Sequence, residues 1–412
     1  MKLDIIGNGR IALALIKKIV FEDKIFPNLM EINIWSRRKI KILRNSFTID
    51  DSDTLYEDII NMKIQDLNLK CYVSLNYHYY ECLDELKSIV INSKEDDVLI
   101  ITSKYNLNEL YFVDNQCKEK FDYNNKAHIE LLINRYRHVF ANTETYDLLS
   151  EEKRKARIIK DFSCFKKQHM KLQKCVKELS SSTNVGIERL YNLNNAVVGI
   201  INLAKVLQKY KGLIINMVNE IEVTNMLLLK YSKIDAFNII SLCDNDNIRA
   251  KYFLKKEIEK SGFIVKSICL EYLGPHNHNG FLPKEKIVIN NEPISSLFSE
   301  SYIDELLEKV KIKVNSLGEE IFLKKGSSDE DTVDSIYKFL VNYTVENSSY
   351  NQIIRLSCFS STENLFYGKN VIVNKRKLLF PDTNYNLYTL QKLQDILRQQ
   401  KRIIENIELC LI

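Results

Sequence analysis

Between Ile239 and Pro283 the chain carries three side chains whose types suit acid–base chemistry on an anionic small molecule: Asp246, Arg249 three residues on, and His276 in the run Gly274-Pro275-His276-Asn277-His278-Asn279-Gly280. A histidine exchanges protons near neutral pH, because its ordinary pKa lies close by. An aspartate can hold the ring by its other nitrogen and stabilise the imidazolium that forms. An arginine offers a planar fork that grips a carboxylate at two points. Such a set works only if a scaffold brings distant segments together, so the elements around it matter.

The chain opens with one such element. Leu3-Asp4-Ile5-Ile6 reads as a strand, Gly7-Asn8-Gly9-Arg10-Ile11-Ala12 as a tight turn, and Leu13 to Val20 as an apolar helix. Strand, glycine loop and helix in this order are of the dinucleotide-binding type: Gly7 makes the turn, Gly9 lets the backbone approach a pyrophosphate, and Ala12 permits close helix packing. The second strand, Glu31 to Ser36, ends where an acid would take the ribose hydroxyls of NAD; Ser36 stands there instead, followed by Arg37, Arg38 and Lys39. A small polar residue backed by cations suits a 2′-phosphate, so the spacing favours NADP over NAD. Further strands are expected at Cys71 to Leu75, Asp97 to Ser103, Leu213 to Asn219 and Lys286 to Ile289, and helices at Tyr80 to Val90, Ile303 to Val314, Thr332 to Val345 and Tyr388 to Ile407. A hairpin over Val371 to Phe380 follows a turn at Gly368-Lys369-Asn370.

Asn245-Asp246-Asn247-Ile248-Arg249 followed by Gly274-Pro275-His276 resembles the catalytic segment of the lactate/malate dehydrogenase family, and other parts of that family follow in order. The resemblance implies an α/β protein: a Rossmann-type dinucleotide-binding domain over 1–220, interrupted by an insertion at 104–183, then an α+β catalytic domain over 221–412. It implies an NAD(P)-dependent oxidoreductase interconverting a 2-hydroxy acid and a 2-oxo acid. His276 would exchange the proton, oriented by Asp246, and Arg249 would bind the substrate carboxylate. Asn216, at the end of its strand, would bond the substrate or nicotinamide edge. Arg189 would be the mobile-loop arginine that polarises the carbonyl, Ser328 would line the substrate pocket after Leu317-Gly318 to Gly326, and Thr102 would touch the cofactor. The family's habit of pairing implies a homo-oligomer.

The insertion has no counterpart in that scheme. It holds 16 Lys and Arg against 11 Asp and Glu, an excess equal to the formal net charge of +5 for the whole chain. Phe162, Phe165, His169, Leu172, Val176 and Leu179 form one stripe at helical spacing in its most basic part, which suits a packed helix or a partner surface. No aromatic platform or groove motif accompanies it, which speaks against nucleic acid. With 412 residues, 45% hydrophobic and 27% charged, the composition is that of a globular protein. No run of about 18 apolar residues appears, no signal peptide precedes the first strand, and the nine cysteines form no Cys-x-x-Cys pair, so a reduced, cytoplasmic protein is expected. His276 and His278 have no acid-rich or cysteine-rich neighbour, and no metal is expected. Two alternatives stay open. One is a non-catalytic descendant of the fold with the insertion as its working surface. The other is a relative of the NAD- and metal-dependent glycosidases, whose Gly-Leu-Cys segment Ser241-Leu242-Cys243 resembles.

Overall fold

The computed structural model describes residues 1–7, 9–21, 29, 31–36, 41–43, 46–48, 74–80, 83–102, 187–277, 279–325, 329–344, 352–381 and 384–411. Arg37, His278, Ser328 and the 104–183 insertion, Lys104 onward, lie outside them.

Short apolar runs build the centre of the molecule. β1 (Lys2–Ile6), β2 (Glu31–Ser36), a small hairpin of β3 (Lys41–Leu43) and β4 (Ser46–Thr48), β5 (Ser74–Tyr79), β6 (Val98–Ile101), β7 (Leu213–Asn216) and β8 (Ile239–Leu242) come first. After them come the short β9 (Ile268–Cys269), β10 (Val288–Ile289) and β11 (Glu292–Pro293), then β12 (Gln352–Ser360), β13 (Leu365–Asn374) and β14 (Lys377–Leu379). Among the described residues nine of these form one sheet, in the order β5, β2, β1, β6, β7, β8, β12, β13, β14. The first six run parallel and the last three antiparallel.

The wholly buried strands Val-Leu-Ile-Ile of β6 and Leu-Ile-Ile-Asn of β7 have the uninterrupted apolar look of parallel strands covered on both faces. One face is covered by α1 (Arg10–Phe21), packed with a later helix over Asp329–Thr344; Leu3, Ile5, Ile100 and Ile215 meet Ala12, Leu15, Ile336 and Leu340 there. On the other, Ile6, Leu99 and Ile214 lie under α3 (Ile187–Val206) and α4 (Ile221–Ser232), with the short α2 (Lys87–Ile91) near the edge. A separate core joins α5 (Asn245–Glu259), the three-stranded β9–β11 sheet, α6 (Ile294–Leu297) and α7 (Glu300–Lys325) around Leu254, Tyr272, Ile289 and Val310. The helix over Asp329–Thr344 is α8, and α9 (Leu387–Leu411) closes the chain. Among the described residues no helix is long and apolar enough to cross a membrane.

This layout departs from the sequence reading in three respects. The sixth parallel strand, β8, and the antiparallel extension lie beyond the division expected at residue 220, so one sheet runs through it. Gly368-Lys369-Asn370 is not a turn but the interior of β13, paired with β12 from Ser357 to Arg355. The helix expected over Ile303 to Val314 is longer, since α7 runs on through Gly318 to Lys325.

Candidate active site

In an open parallel sheet, ligands bind beyond the carboxyl ends of the strands, where the order reverses. Here that point lies between β1 and β6. The strand ends are in register, Ile6 opposite Ile101 and Ile101 opposite Asn216. Gly7 follows at a φ of +116°, a conformation that glycine reaches without strain, and a β-carbon built on Gly9 would meet none of the described residues within 4 Å. Ala12 is wholly buried against the sheet, as close helix packing needs.

Thr102 and Ser36 flank this crevice, but both are turned into the protein. The Thr102 hydroxyl and amide both donate to the Ile6 carbonyl, at 3.2 and 2.9 Å, so its hydrogen goes to joining β1 and β6 rather than to a cofactor. Ser36 is buried at the end of β2, where its carbonyl accepts from the Tyr80 amide at 3.0 Å. Asn216 corrects a second expectation. Its amide donates to Thr224 Oγ1 at 2.8 Å and Asn225 Oδ1 at 2.9 Å, its oxygen accepts from the Val218 amide at 3.1 Å, and no part of it is exposed. Buried polar groups must find partners; this one finds them at Val218 and on α4, and it ties the strand end to that helix.

The two residues of the expected proton relay do meet. Asp246 sits in the first turn of α5, immediately past the carboxyl end of β8, and His276 sits in a closed loop pinned at its base by the Leu273–Phe281 bridge. His276 Nδ1 lies 2.8 Å from Asp246 Oδ2, with the histidine side chain a quarter exposed and the aspartate buried. The His276 amide donates to Glu222 Oε1 at 2.8 Å.

A third charged group joins them. Arg355, in the middle of β12 and wholly buried, donates through Nη1 to Asp246 Oδ2 at 2.6 Å and to the Cys243 carbonyl at 3.1 Å, through Nη2 to the Gly274 carbonyl at 2.7 Å, and through Nε to the Tyr272 carbonyl. Burial alone would raise the Asp246 pKa, but the charges of His276 and Arg355 and the hydrogen bond from the ring outweigh it and hold the carboxyl well below its usual range. Asp246 is therefore an anion, and the proton between it and the ring belongs to Nδ1. Glu222, by contrast, is pushed above its ordinary value by burial, against the opposing pull of His276.

Arg249 stands one turn beyond Asp246 on α5, nearly buried. Its Nη2 reaches the half-exposed Asp331 only at 3.7 Å, and its Nε has no hydrogen-bond partner among the described residues. Such a guanidinium retains capacity for an anion. Arg189 falls in the first turn of α3, its side chain outside the described set. Cys243 is buried, and burial pushes its thiol well up, so it is a poor thiolate ligand.

Arg355 and Glu222 escaped sequence reasoning because no motif marks them. The available signal was the charge in the otherwise apolar run Ile353-Ile354-Arg355-Leu356, since a cation buried in a sheet must have a counter-charge.

No family model matches the sequence, and no curated protein matches it. Solved structures do resemble it over its whole length. Malate dehydrogenase from Plasmodium falciparum is 12% identical with a TM-score of 0.59, covering 100% of each chain. Lactate dehydrogenase from Cryptosporidium parvum, solved with lactic acid and nicotinamide adenine dinucleotide, is 11% identical at a TM-score of 0.57, covering 99% of this chain and 98% of that one. A lactate dehydrogenase from a deep-sea metagenome library is 11% identical at 0.57, covering 99% and 98%. The chain thus has the fold of the malate and lactate dehydrogenases, in a highly divergent sequence.

Proposed function

We propose that this chain is an NAD(P)-dependent oxidoreductase that interconverts a small 2-hydroxy acid and the corresponding 2-oxo acid. The observation that carries the reading is the 2.8 Å contact between His276 Nδ1 and an ionised, buried Asp246, on a fold shared with enzymes of that chemistry. With Nδ1 protonated, Nε2 is the nitrogen that takes the hydroxyl proton of the 2-hydroxy acid, and Asp246 then stabilises the imidazolium. In the reverse direction the same nitrogen returns it. Arg249, whose Nε has no hydrogen-bond partner among the described residues, holds the carboxylate and so fixes the reacting carbon relative to the ring. Gly7, at a positive φ, and Gly9, where a β-carbon would meet no described residue within 4 Å, fit a dinucleotide pyrophosphate, and Ala12 keeps α1 close to the sheet. Bound there, a nicotinamide dinucleotide supplies the hydride acceptor or donor. With Ser36 turned inward, the preference for NADP over NAD rests on the cations that follow it in the sequence, Arg37 first among them.

A second reading is a non-catalytic descendant of the fold, favoured by Asn216 and Thr102 being turned away from the crevice. Titration with NADH and NADPH, followed by nicotinamide fluorescence, separates the two. Binding of either cofactor, and oxidation of that cofactor with one member of a panel of 2-oxo acids that is lost in His276→Ala, is the expected result. Failure to bind either nucleotide favours the second reading, and turnover that survives His276→Ala removes the ring from the mechanism.

A further inference from the structure

The structure assigns Arg355 as the positioning residue of the Asp246–His276 pair: its guanidinium ties together the two segments that carry them and supplies a fixed positive charge that keeps Asp246 an anionic acceptor. The link to turnover rests on the oxidoreductase reading; the clamp and the charge are properties of the chain itself.

The geometry is that of a clamp. Two of the four acceptors, the carbonyls of Tyr272 and Gly274, lie just upstream of His276; the other two are the Cys243 carbonyl, three residues before Asp246, and Asp246 itself. One side chain on β12 thereby sets the spacing between the end of β8 and the histidine loop. The fold also makes room for it. Gly274 and Gly368 form a bridge, with amide-to-carbonyl distances of 3.0 and 2.9 Å in the two directions. A β-carbon on Gly368 would come within 2.4 Å of Arg355 Nη2 and 2.8 Å of the Gly274 carbonyl. A side chain there and the guanidinium exclude each other.

Among the described residues the titratable and charged groups that face the pair are Glu222 from α4 and Glu220 just before it, Arg249 from α5, Cys243 at the end of β8, and Arg355 from β12. Of the two cations, Arg355 is the one hydrogen-bonded to Asp246. Asp246 Oδ2 is shared between the imidazole N–H and the guanidinium, so its negative charge is divided between two donors. Ring and guanidinium are therefore positioned on one oxygen, and a change in either donor is felt by the other.

The test is nitrogen-15 and carbon-13 NMR of the imidazoles, with the His276 signals assigned through His276→Gln in a chain of only six histidines. In the wild-type protein the neutral His276 ring is expected in the Nδ1–H tautomer; the Nε2–H tautomer would overturn the proposal. In Arg355→Met the single tautomer is expected to give way to a mixture of the two ring tautomers, because the histidine loop is no longer held against Asp246. Arg355→Lys keeps the charge without the fork, so it should show a smaller admixture of the second tautomer and a lower melting temperature than the wild type. A folded Arg355→Met variant whose ring keeps the Nδ1–H tautomer alone overturns the assignment. Should neither Arg355 variant fold, Gly368→Ala, which crowds the guanidinium without removing it, must show the same mixture, and its absence also overturns the assignment. None of these measurements uses cofactor or substrate. Loss of nucleotide binding would therefore sink the oxidoreductase reading and leave this one standing, and the converse holds equally.

Discussion

Replacing Asp246 by asparagine exposes how much of the site's stability rests on one buried carboxylate. Its Oδ2 accepts from His276 at 2.8 Å and from Arg355 at 2.6 Å. An amide oxygen in that place can still accept from both donors, but it carries no charge, and it leaves the guanidinium buried without a carboxylate at hydrogen-bonding distance among the described residues. Removing one partner of a buried ion pair costs about 3–5 kcal/mol. With an unfolding entropy of ~2.1 cal/mol/K per residue over 412 residues, a chain melting as one cooperative unit should lose about 3–6 °C. Scanning calorimetry of Asp246→Asn at neutral pH reads this directly, and Asp246→Asn with Arg355→Met supplies the control: removing the stranded cation should recover part of the loss. The sign with pH follows from the depressed carboxyl. Its stabilisation is fully present above the ordinary aspartate value of 3.8 and is lost as pH falls through the lower folded value, so the wild-type and variant curves should converge in strong acid. A neutral-pH midpoint within about 1 °C of the wild type, or strictly additive losses in the double variant, would refute the reasoning.

Glu222 should show the opposite slope. Burial raises its pKa, so the folded chain holds a proton that the unfolded chain releases above the ordinary value of 4.5, and stability falls as pH climbs from there through the folded value. Glu222→Gln retains an acceptor for the His276 amide; relative to the wild type it should gain melting temperature at pH 8 but not at pH 4, and an equal change at both pH values would remove the carboxyl from the pH dependence. Asp331→Asn releases Arg249 from its 3.7 Å ion pair, so KM for a 2-oxo acid should fall severalfold with kcat nearly unchanged. An unaltered KM would count against Arg249 as the carboxylate ligand.

Local signals carried much of this architecture in advance. β2 ends at Ser36 as the pattern of Glu31 to Ser36 suggests, and the four apolar residues Val98 to Ile101 read as a strand buried on both faces. Asp246 and His276 were legible because each sits at a marked boundary, a helix start and a glycine loop. What was not legible depends on pairing across the sheet. Arg355 gains its meaning from acceptors on two distant segments, and no spacing encodes that. Gly368 reads as a turn because glycine is usually read so, whereas inside β13 its missing side chain makes space for another residue. Asn216 is a polar residue at a strand end, the ordinary mark of a site, yet Thr224 and Asn225 on the next helix satisfy it. Gly318 lies inside α7, where neighbouring turns tolerate a residue of poor helix propensity.

The exclusion between a side chain at position 368 and the guanidinium of Arg355 has a consequence for descent. Loss of the arginine relieves only part of the crowding, since the Gly274 carbonyl would still stand 2.8 Å from a β-carbon at 368. Sequences that share this branch should therefore keep the glycine wherever they keep the arginine. Arginine with a bulky neighbour opposite is the combination that should never be found.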